Sequence, residues 1–226
     1  MNHRVLVSWS SGKDSAWMLH TLQQRNDVDI VGLITTLNKD AGRVAMHAVR
    51  RMLLRDQADA VGLPLVEVEL PWPCDNATYE SIMDGALRAA REDFGITHIA
   101  FGDLFLEDIR DYRIRQISSL DIEPLFPIWG LDTQTLARDM VESGLRATLT
   151  CVDPRQMDAT HAGANFDVRF LECLPESVDP CGENGEFHTF AWDGPMFSRP
   201  IECQKGEVVE RDGFVFADLV LATAND

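Results

Sequence analysis

Residues 5–22 read VLVSWSSGKDSAWMLHTL. A β-branched apolar run, Val5 to Val7, enters a small polar loop, Ser10 to Ser15, and apolar residues then return at helical spacing. The familiar phosphate loop requires G-x-x-x-x-G-K-[ST]. Taking Gly12 as its second glycine puts Val7 where the first should stand and Asp14 where the metal-binding hydroxyl should stand, so that reading fails twice. A strand, a polar loop and a helix still make an anion site, because unpaired N–H groups at a helix N-terminus converge on bound oxygens. An aspartate there repels phosphate unless a cation lies between them, so Asp14 implies magnesium as the bridge.

Outside this stretch the chain alternates short β-rich runs with helix-period segments, which is the pattern of a parallel sheet covered by helices. Strands are expected at residues 4–9, 29–37, 65–70 and 98–101, with helices at 15–24, 48–61 and 76–94. Gly62 and Gly95 read as helix stops, and Asp75 or Asn76 as an N-cap. A helix over 107–119 then gives way to EPLFPIWG, residues 123–130, where prolines and glycine punctuate the chain. The domain boundary is placed there, giving expected domains of 1–128 and 129–226. Beyond it the pattern predicts a helix at 133–143, a strand at 146–152, a glycine-rich stretch at 181–194 and a hairpin pairing 208–210 with 214–221. The expected fold class is a doubly wound α/β sheet with a smaller C-terminal α+β domain.

Bulk properties narrow the function. The chain has 226 residues, 45% hydrophobic and 25% charged, ordinary for a soluble globular protein. Its 37 acidic and 20 basic residues give a formal charge of -17, which disfavours a nucleic-acid partner. Five cysteines without a CxxC pair suit no closed disulfide framework, so a reducing, cytoplasmic setting is expected. Neither a signal-peptide pattern nor an apolar run near the ~20 residues of a membrane span is visible.

SSGKDS, residues 10–15, resembles the S-G-G-x-D-S pyrophosphatase loop (PP-loop) of the ATP-cleaving ligases, with Ser11 replacing the first glycine. FGDLFLEDIRDYR (101–113), CGENGEFHTFAWDGPMF (181–197) and AMHAVRRMLLRDQADAVGLPL (45–65) extend the likeness nearly end to end. Together they are similar to the diphthine ammonia ligase family of the adenine nucleotide alpha hydrolase-like proteins. The resemblance implies ATP and Mg2+ as cofactors and a carboxylate acceptor that attacks the α-phosphate. Pyrophosphate leaves, and ammonia converts the acyl adenylate to an amide, releasing AMP. On this reading Ser10, Ser11, Gly12 and Ser15 cradle phosphates, Lys13 is their counter-charge, and Asp14 holds the magnesium.

Gly102 and Asp103 end the fourth strand, at the sheet edge where open α/β folds bind ligands. Asp103 either shares the magnesium or orients the acceptor, against the plainer reading of a helix N-cap. Glu107, Arg110 and Arg113 share a helix face; a surface ion-pair ladder accounts for the first two as well as substrate binding does, while Arg113 is the better partner for a carboxylate or phosphate. His47 is placed beside the nucleotide, although a lone histidine is commonly a structural donor. Glu183, Asn184, Glu186, His188 and Thr189 in the second domain are expected to line the acceptor pocket, with Glu183 or Glu186 receiving a proton from ammonium. A pocket between domains would close over the adenylate and exclude water.

The likeness carries ATP cleavage further than it carries the acceptor. Family members that amidate diphthine tend to have a second glutamate and a threonine where this chain has His188 and Thr189, and they end the segment differently from DGPMF. A small carboxylate is therefore as credible an acceptor as diphthine on an elongation factor. Two other classes stand beside the ligase: a tRNA-modifying enzyme with the same loop, which would want basic surface and often CxxC, and a noncatalytic ATP-binding sensor. The oligomeric state is not legible.

Overall fold

The alternation of strands and helices closes into two sheets. The computed structural model describes residues 2–44 and 47–222. Residues 45 and 46, which open the family-like segment 45–65, lie outside the described residues, as do residue 1 and residues 223–226 at the outer ends of the expected domains. In order, the elements of the first sheet region are β1 (His3–Ser8), α1 (Lys13–Gln23), β2 (Val28–Asn38), β3 (Arg43–Val44), α2 (Arg51–Val61), β4 (Leu65–Leu70), α3 (Asn76–Phe94), β5 (His98–Ala100), α4 (Glu107–Ile117) and β6 (Glu123–Leu125). The second comprises α5 (Thr133–Glu142), β7 (Arg146–Val152), a 3-10 turn (Ala159–His161), β8 (Asn165–Phe166), α6 (Val168–Glu172), β9 (Phe187–Asp193), β10 (Cys203–Arg211) and β11 (Phe214–Leu221).

In the first sheet β4, β2, β1, β5 and β6 lie side by side and parallel, with β3 antiparallel on the end of β2. The order reverses between β1 and β5, which makes the space beyond their C-terminal ends the topological switch point. The loop 10–15 and the pair Gly102–Asp103 both leave from there. Successive strand residues point to opposite faces. Val5, Val7 and Leu33 enter the core formed with α1 and α2, while Leu6, Ile34 and Ile99 enter a second core with Met83 and Leu87 of α3 and Ile117 of α4.

The second sheet is antiparallel around β7, which pairs with β9, β8 and β11, and β10 completes it against β11. The first core does not stop at the sheet boundary. It continues from Trp9, Ala16 and Leu54 through Leu149, Phe187 and Phe190 of the second sheet.

Three expectations change. The helix predicted from residue 48 begins at Arg51, because Ala48 has a left-handed φ of 55° and Arg50 is extended, bridging to Arg43. Both arginines are tied to Asp218 of β11. Residues 123–125, read as punctuation, form a parallel edge strand, where a missing proline N–H is tolerated. The hairpin strand expected at 208–210 runs from Cys203 to Arg211.

Caps and turns follow the sequence closely. Gly62 and Gly95 take left-handed φ values of 71° and 62° after α2 and α3, where a side chain would be strained. Asp75 caps α3 by accepting from Thr78 N at 2.8 Å, and Asp132 caps α5 by accepting from Thr135 N at 2.9 Å.

One buried polar residue joins the two sheets. Gln57 of α2 is fully buried; its Nε2 donates to Ser11 O at 3.0 Å and Ala191 O at 2.6 Å, and its Oε1 accepts from Trp9 Nε1 at 3.0 Å. Gln57→Leu strands these partners away from water, at ~1–3 kcal/mol for a buried group left unpaired. The expected outcome is a lower urea midpoint, equivalent to about 2 kcal/mol of lost stability, with an unchanged denaturant slope.

Candidate active site

The polar loop is held from both sides. Ser11 adopts φ 69°, unusual for a residue with a Cβ. Its carbonyl accepts from Ala191 N of β9 at 3.0 Å as well as from Gln57. Gly12 caps α1 without a side-chain cap, and a Cβ on it would lie 2.8 Å from His47 Cε1 and 3.2 Å from Thr189 O. Glycine is needed here for close approach, its φ of -86° being ordinary. The Lys13 amide donates to Thr189 Oγ1 at 3.1 Å and the Ala16 amide to Gly12 O at 3.1 Å. Among the described residues the Asp14 and Ser15 amides have no acceptor, so these two are the donors the helix end offers to a bound anion. Ser10 and Ser15 hydroxyls bond one another at 3.1 Å, and Ser15 Oγ donates to Gly12 O at 3.0 Å. Ser11 Oγ is buried without a partner among the described residues.

Lys13 does not reach outward as a phosphate counter-charge would. Its side chain is buried, and Nζ donates to both Asp14 oxygens, at 2.8 and 3.0 Å, and to the Cys181 carbonyl. The ammonium lies 5.2 Å from the Phe187 ring centre and 5.5 Å from that of Phe166, cation–π contacts from the second sheet region. Burial works against its charge, but Asp14 and the other acids around it outweigh burial and hold its pKa above the usual lysine value. The lysine is thus a bolt between the loop and residue 181, and Asp14 is its counter-ion.

Gly102 packs on the start of α1; a Cβ there would come within 3.3 Å of Asp14 C and 3.4 Å of Ser15 N. Asp103 follows, with Oδ2 buried, 3.7 Å from Arg113 Nε and without a hydrogen bond. Burial raises the Asp103 pKa, and Asp14 adds to that, while Arg113 opposes it. It does not cap α4, whose N-cap is Leu106. Glu183 crosses from the second region, its Oε1 accepting from Leu104 N at 2.7 Å. Burial, then the charges of Asp14 and Asp103, push its pKa up to about 7. Asp14, Asp103 and Glu183 are therefore brought to the same end of the sheet, Asp14 beside Gly102 and Glu183 on the Leu104 amide.

The GENGEFHT segment divides. Glu183 faces the first region. His188 lies with its ring centre 4.7 Å from that of His47, and His47 Nδ1 donates to Thr189 O at 3.0 Å. Burial lowers both imidazoles, His188 to about 3, so the pair is neutral near pH 7. Glu186 and Asn184 do not join them. Glu186 is buried, its Oε1 accepting from Asp179 N at 2.9 Å and Asn184 Nδ2 at 3.0 Å, which shapes the 179–186 turn. Asn184 is otherwise exposed.

Sequence reasoning missed Gln57, whose spacing reads as one more residue of an amphipathic helix, and the Cys181 carbonyl, which no side-chain pattern can announce. It weighed Arg110 as a partner of Glu107. No such pair forms among the described residues; Arg110 lies over Phe126 and Trp129, its Cζ 5.3 and 4.8 Å from their ring centres.

A parallel sheet whose order reverses, with a polar loop and several acids beside the switch point, is the arrangement in which open α/β enzymes hold their ligands. The chain belongs to the diphthamide synthase family: the family's N-terminal domain model matches residues 3–119 and its C-terminal domain model residues 132–218. It is an ATP-dependent ligase. It is 28% identical over 236 residues to a Homo sapiens protein named diphthine–ammonia ligase, covering 95% of this chain and 88% of that one. A Danio rerio protein of the same name is 28% identical over 176 residues, 71% of this chain and 68% of its own length. Its Schizosaccharomyces pombe namesake is 33% identical over 95 residues, 40% of this chain and 16% of that protein. Among the described residues no helix is long and apolar enough to cross a membrane, and all five cysteines are free.

The Lys13–Asp14 pair generates a stability prediction. Asp14→Ala leaves a buried ammonium without its counter-ion, at a cost of ~3–5 kcal/mol, so the variant is expected to unfold at markedly lower denaturant. Adding Lys13→Met should restore much of that loss, and equal midpoints for the single and double variants would remove the pair from the fold's support.

Proposed function

We propose that the chain amidates a carboxylate acceptor with ammonia, cleaving ATP to AMP and pyrophosphate through an acyl adenylate. The observation that carries this reading is the meeting of the free Asp14 and Ser15 amides with Asp14, Asp103 and Glu183 at one switch point. We assign the nucleotide to residues 1–128 and the acceptor to the face contributed by 129–226. Diphthine, for which the relatives are named, and small free carboxylates are the acceptor classes to compare.

Each group has a task in this scheme. The two amides receive the pyrophosphate oxygens, and their help counts where negative charge grows as the α-phosphorus bond breaks. Gly102 lets the nucleotide approach the backbone, and the neutral His47–His188 pair flanks it. Arg113, its guanidinium over the Phe101 ring and Asp103 nearby, has a fork suited to a carboxylate.

The donors suit magnesium, since Asp14 and Asp103 supply only oxygen and the Asp103 Oδ2 is buried without a hydrogen bond. When bound, the ion neutralises charge on the departing pyrophosphate.

Glu183 then accepts the proton that the attacking nitrogen sheds as AMP leaves. With its pKa near 7, it is divided between base and acid forms at neutral pH, as general-base work requires.

Two outcomes are expected. Labelled ATP with magnesium and the right carboxylate yields AMP and pyrophosphate; ADP with orthophosphate as the only products would sink the scheme. At a fixed concentration of free ammonia, kcat should rise about tenfold per pH unit below 7 and level above it, because protonated Glu183 cannot act as base. Glu183→Gln should lose most of the rate and flatten that limb; a wild-type pH profile in the variant would remove Glu183 from the chemistry.

A further inference from the structure

Three side chains on one face of α4 each carry a buried nitrogen without a hydrogen-bond partner among the described residues. Arg110, Arg113 and Gln116 follow at spacings of three, which places them along one side of the helix. Arg110 Nε, Arg113 Nε and Gln116 Nε2 are all buried, and none has a hydrogen-bond partner among the described residues. Arg113 at least lies 3.7 Å from the Asp103 carboxylate. Arg110 forms no ion pair among the described residues, although the chain carries 37 acids, Glu107 and Asp111 on the same helix among them. Arg115, Arg138, Arg146, Arg169 and Arg211 also lack an ion pair there, but they are exposed. Arg110 is half-buried, so its situation is different.

The packing explains what Arg110 is kept for. Its guanidinium lies over Phe126 and Trp129, themselves edge-to-face with centres 5.9 Å apart. The rings occupy the face of the cation and orient its plane, leaving the N–H edges as its hydrogen-bonding surface. Trp129 belongs to the turn after β6, which is fastened to the loop after β5 by Gly130 N donating to Leu104 O at 2.7 Å. Leu104 N is in turn the donor to Glu183. The arginine face thus shares its supporting turn with the proposed base. A buried donor left unpaired costs ~1–3 kcal/mol, more when charged, and a planar fork is best satisfied by two oxygens of one oxyanion.

We propose that Arg110, Arg113 and Gln116 form an oxyanion subsite of this enzyme, extending the switch-point site along α4. The oxyanion is either a carboxylate of the acceptor or the pyrophosphate released from ATP, and in either case the subsite depends on the ligase reading for its place in the reaction. Arg110 is the specificity-determining member, since the aromatic pair fixes its orientation and Asp103 does not compete for it.

Calorimetry tests this with inorganic pyrophosphate and magnesium in one arm and a series of mono-, di- and tricarboxylates (acetate, succinate, glutarate, citrate) with AMP present in the other. Arg110→Gln should weaken one arm at least tenfold, and Arg110→Lys, which keeps the charge and loses the fork, should recover only part. Loss confined to the pyrophosphate arm assigns the subsite to the leaving group; loss confined to the carboxylates assigns it to the acceptor. AMP affinity and the thermal midpoint of each variant report whether the nucleotide site and the fold survive. Arg113→Gln, farther from the Trp129 ring, repeats the test if Arg110→Gln melts early. Changes below twofold in both arms for well-folded variants, or a wild type that binds neither probe, would overturn the subsite. Wild-type failure to bind AMP or ATP would instead sink the ligase reading.

Discussion

The carbonyl oxygen of Ser11 accepts two hydrogen bonds, one from the Ala191 amide of β9 and one from the Gln57 amide of α2. That acceptor fixes the loop against both sheets, and the site's other geometry follows from it. Turning the Ser11 carbonyl toward these donors accompanies a φ of 69°, a conformation that costs a non-glycine residue of order 1 kcal/mol or more. With Ser11 so turned, Gly12 is pressed against His47 and Thr189, Lys13 points inward, and the next amides, Asp14 and Ser15, open toward the switch point. The glycine found at this position in the S-G-G-x-D-S pattern would adopt the same φ without penalty. Serine is accommodated here because the two donors over-determine the backbone.

The same arrangement changes what the loop's charged residues do. A lysine beside bound phosphate would be expected to neutralise it, yet Lys13 is held by Asp14, by the Cys181 carbonyl and by two aromatic faces. Burying an ammonium costs several kcal/mol, and only a full set of acceptors makes the burial tolerable. Three acceptor contacts and two ring faces provide that set. Asp14 consequently has two duties, as counter-ion to the lysine and as an acid at the same end of the sheet as Asp103 and Glu183. A loop aspartate serving only an ion could be removed without harm to the fold; this one cannot.

The fold was legible because its signals are local. Runs such as VLVSW and LVEVEL are strands by composition, Gly62 and Gly95 are helix stops by conformation, and the strand-loop-helix grammar places the site at a sheet edge. Where long-range contacts override local pattern, reading failed. Residues 48–50 have helical composition but are drawn out of the helix by Asp218, about 170 positions away in the chain. Pro124 reads as a breaker until its strand is known to lie at an edge. The segment 183–189 looked like one pocket because its polar residues are adjacent, whereas the chain's path turns Glu183, His188 and Thr189 toward the loop and Glu186 and Asn184 toward Asp179.

A hinged second domain closing over the adenylate fits the general habit of ligand clefts, but the packing gives a different account of water exclusion. One apolar core runs from Val5, Val7 and Trp9 through Leu149, Phe187 and Phe190, so separating the two regions would expose its middle. Each large apolar side chain uncovered would cost ~1.5–3 kcal/mol, in addition to breaking the Gln57 bridges and uncapping Lys13. Such an opening would approach unfolding rather than resemble a lid motion. The side left open is the one where Asp14, Gly102 and Asp103 remain partly exposed, bounded by α4 and its arginines. The β9 wall is therefore a permanent shield: it covers one side of the loop by packing, and leaves the sheet edge between the loop and α4 as the open side.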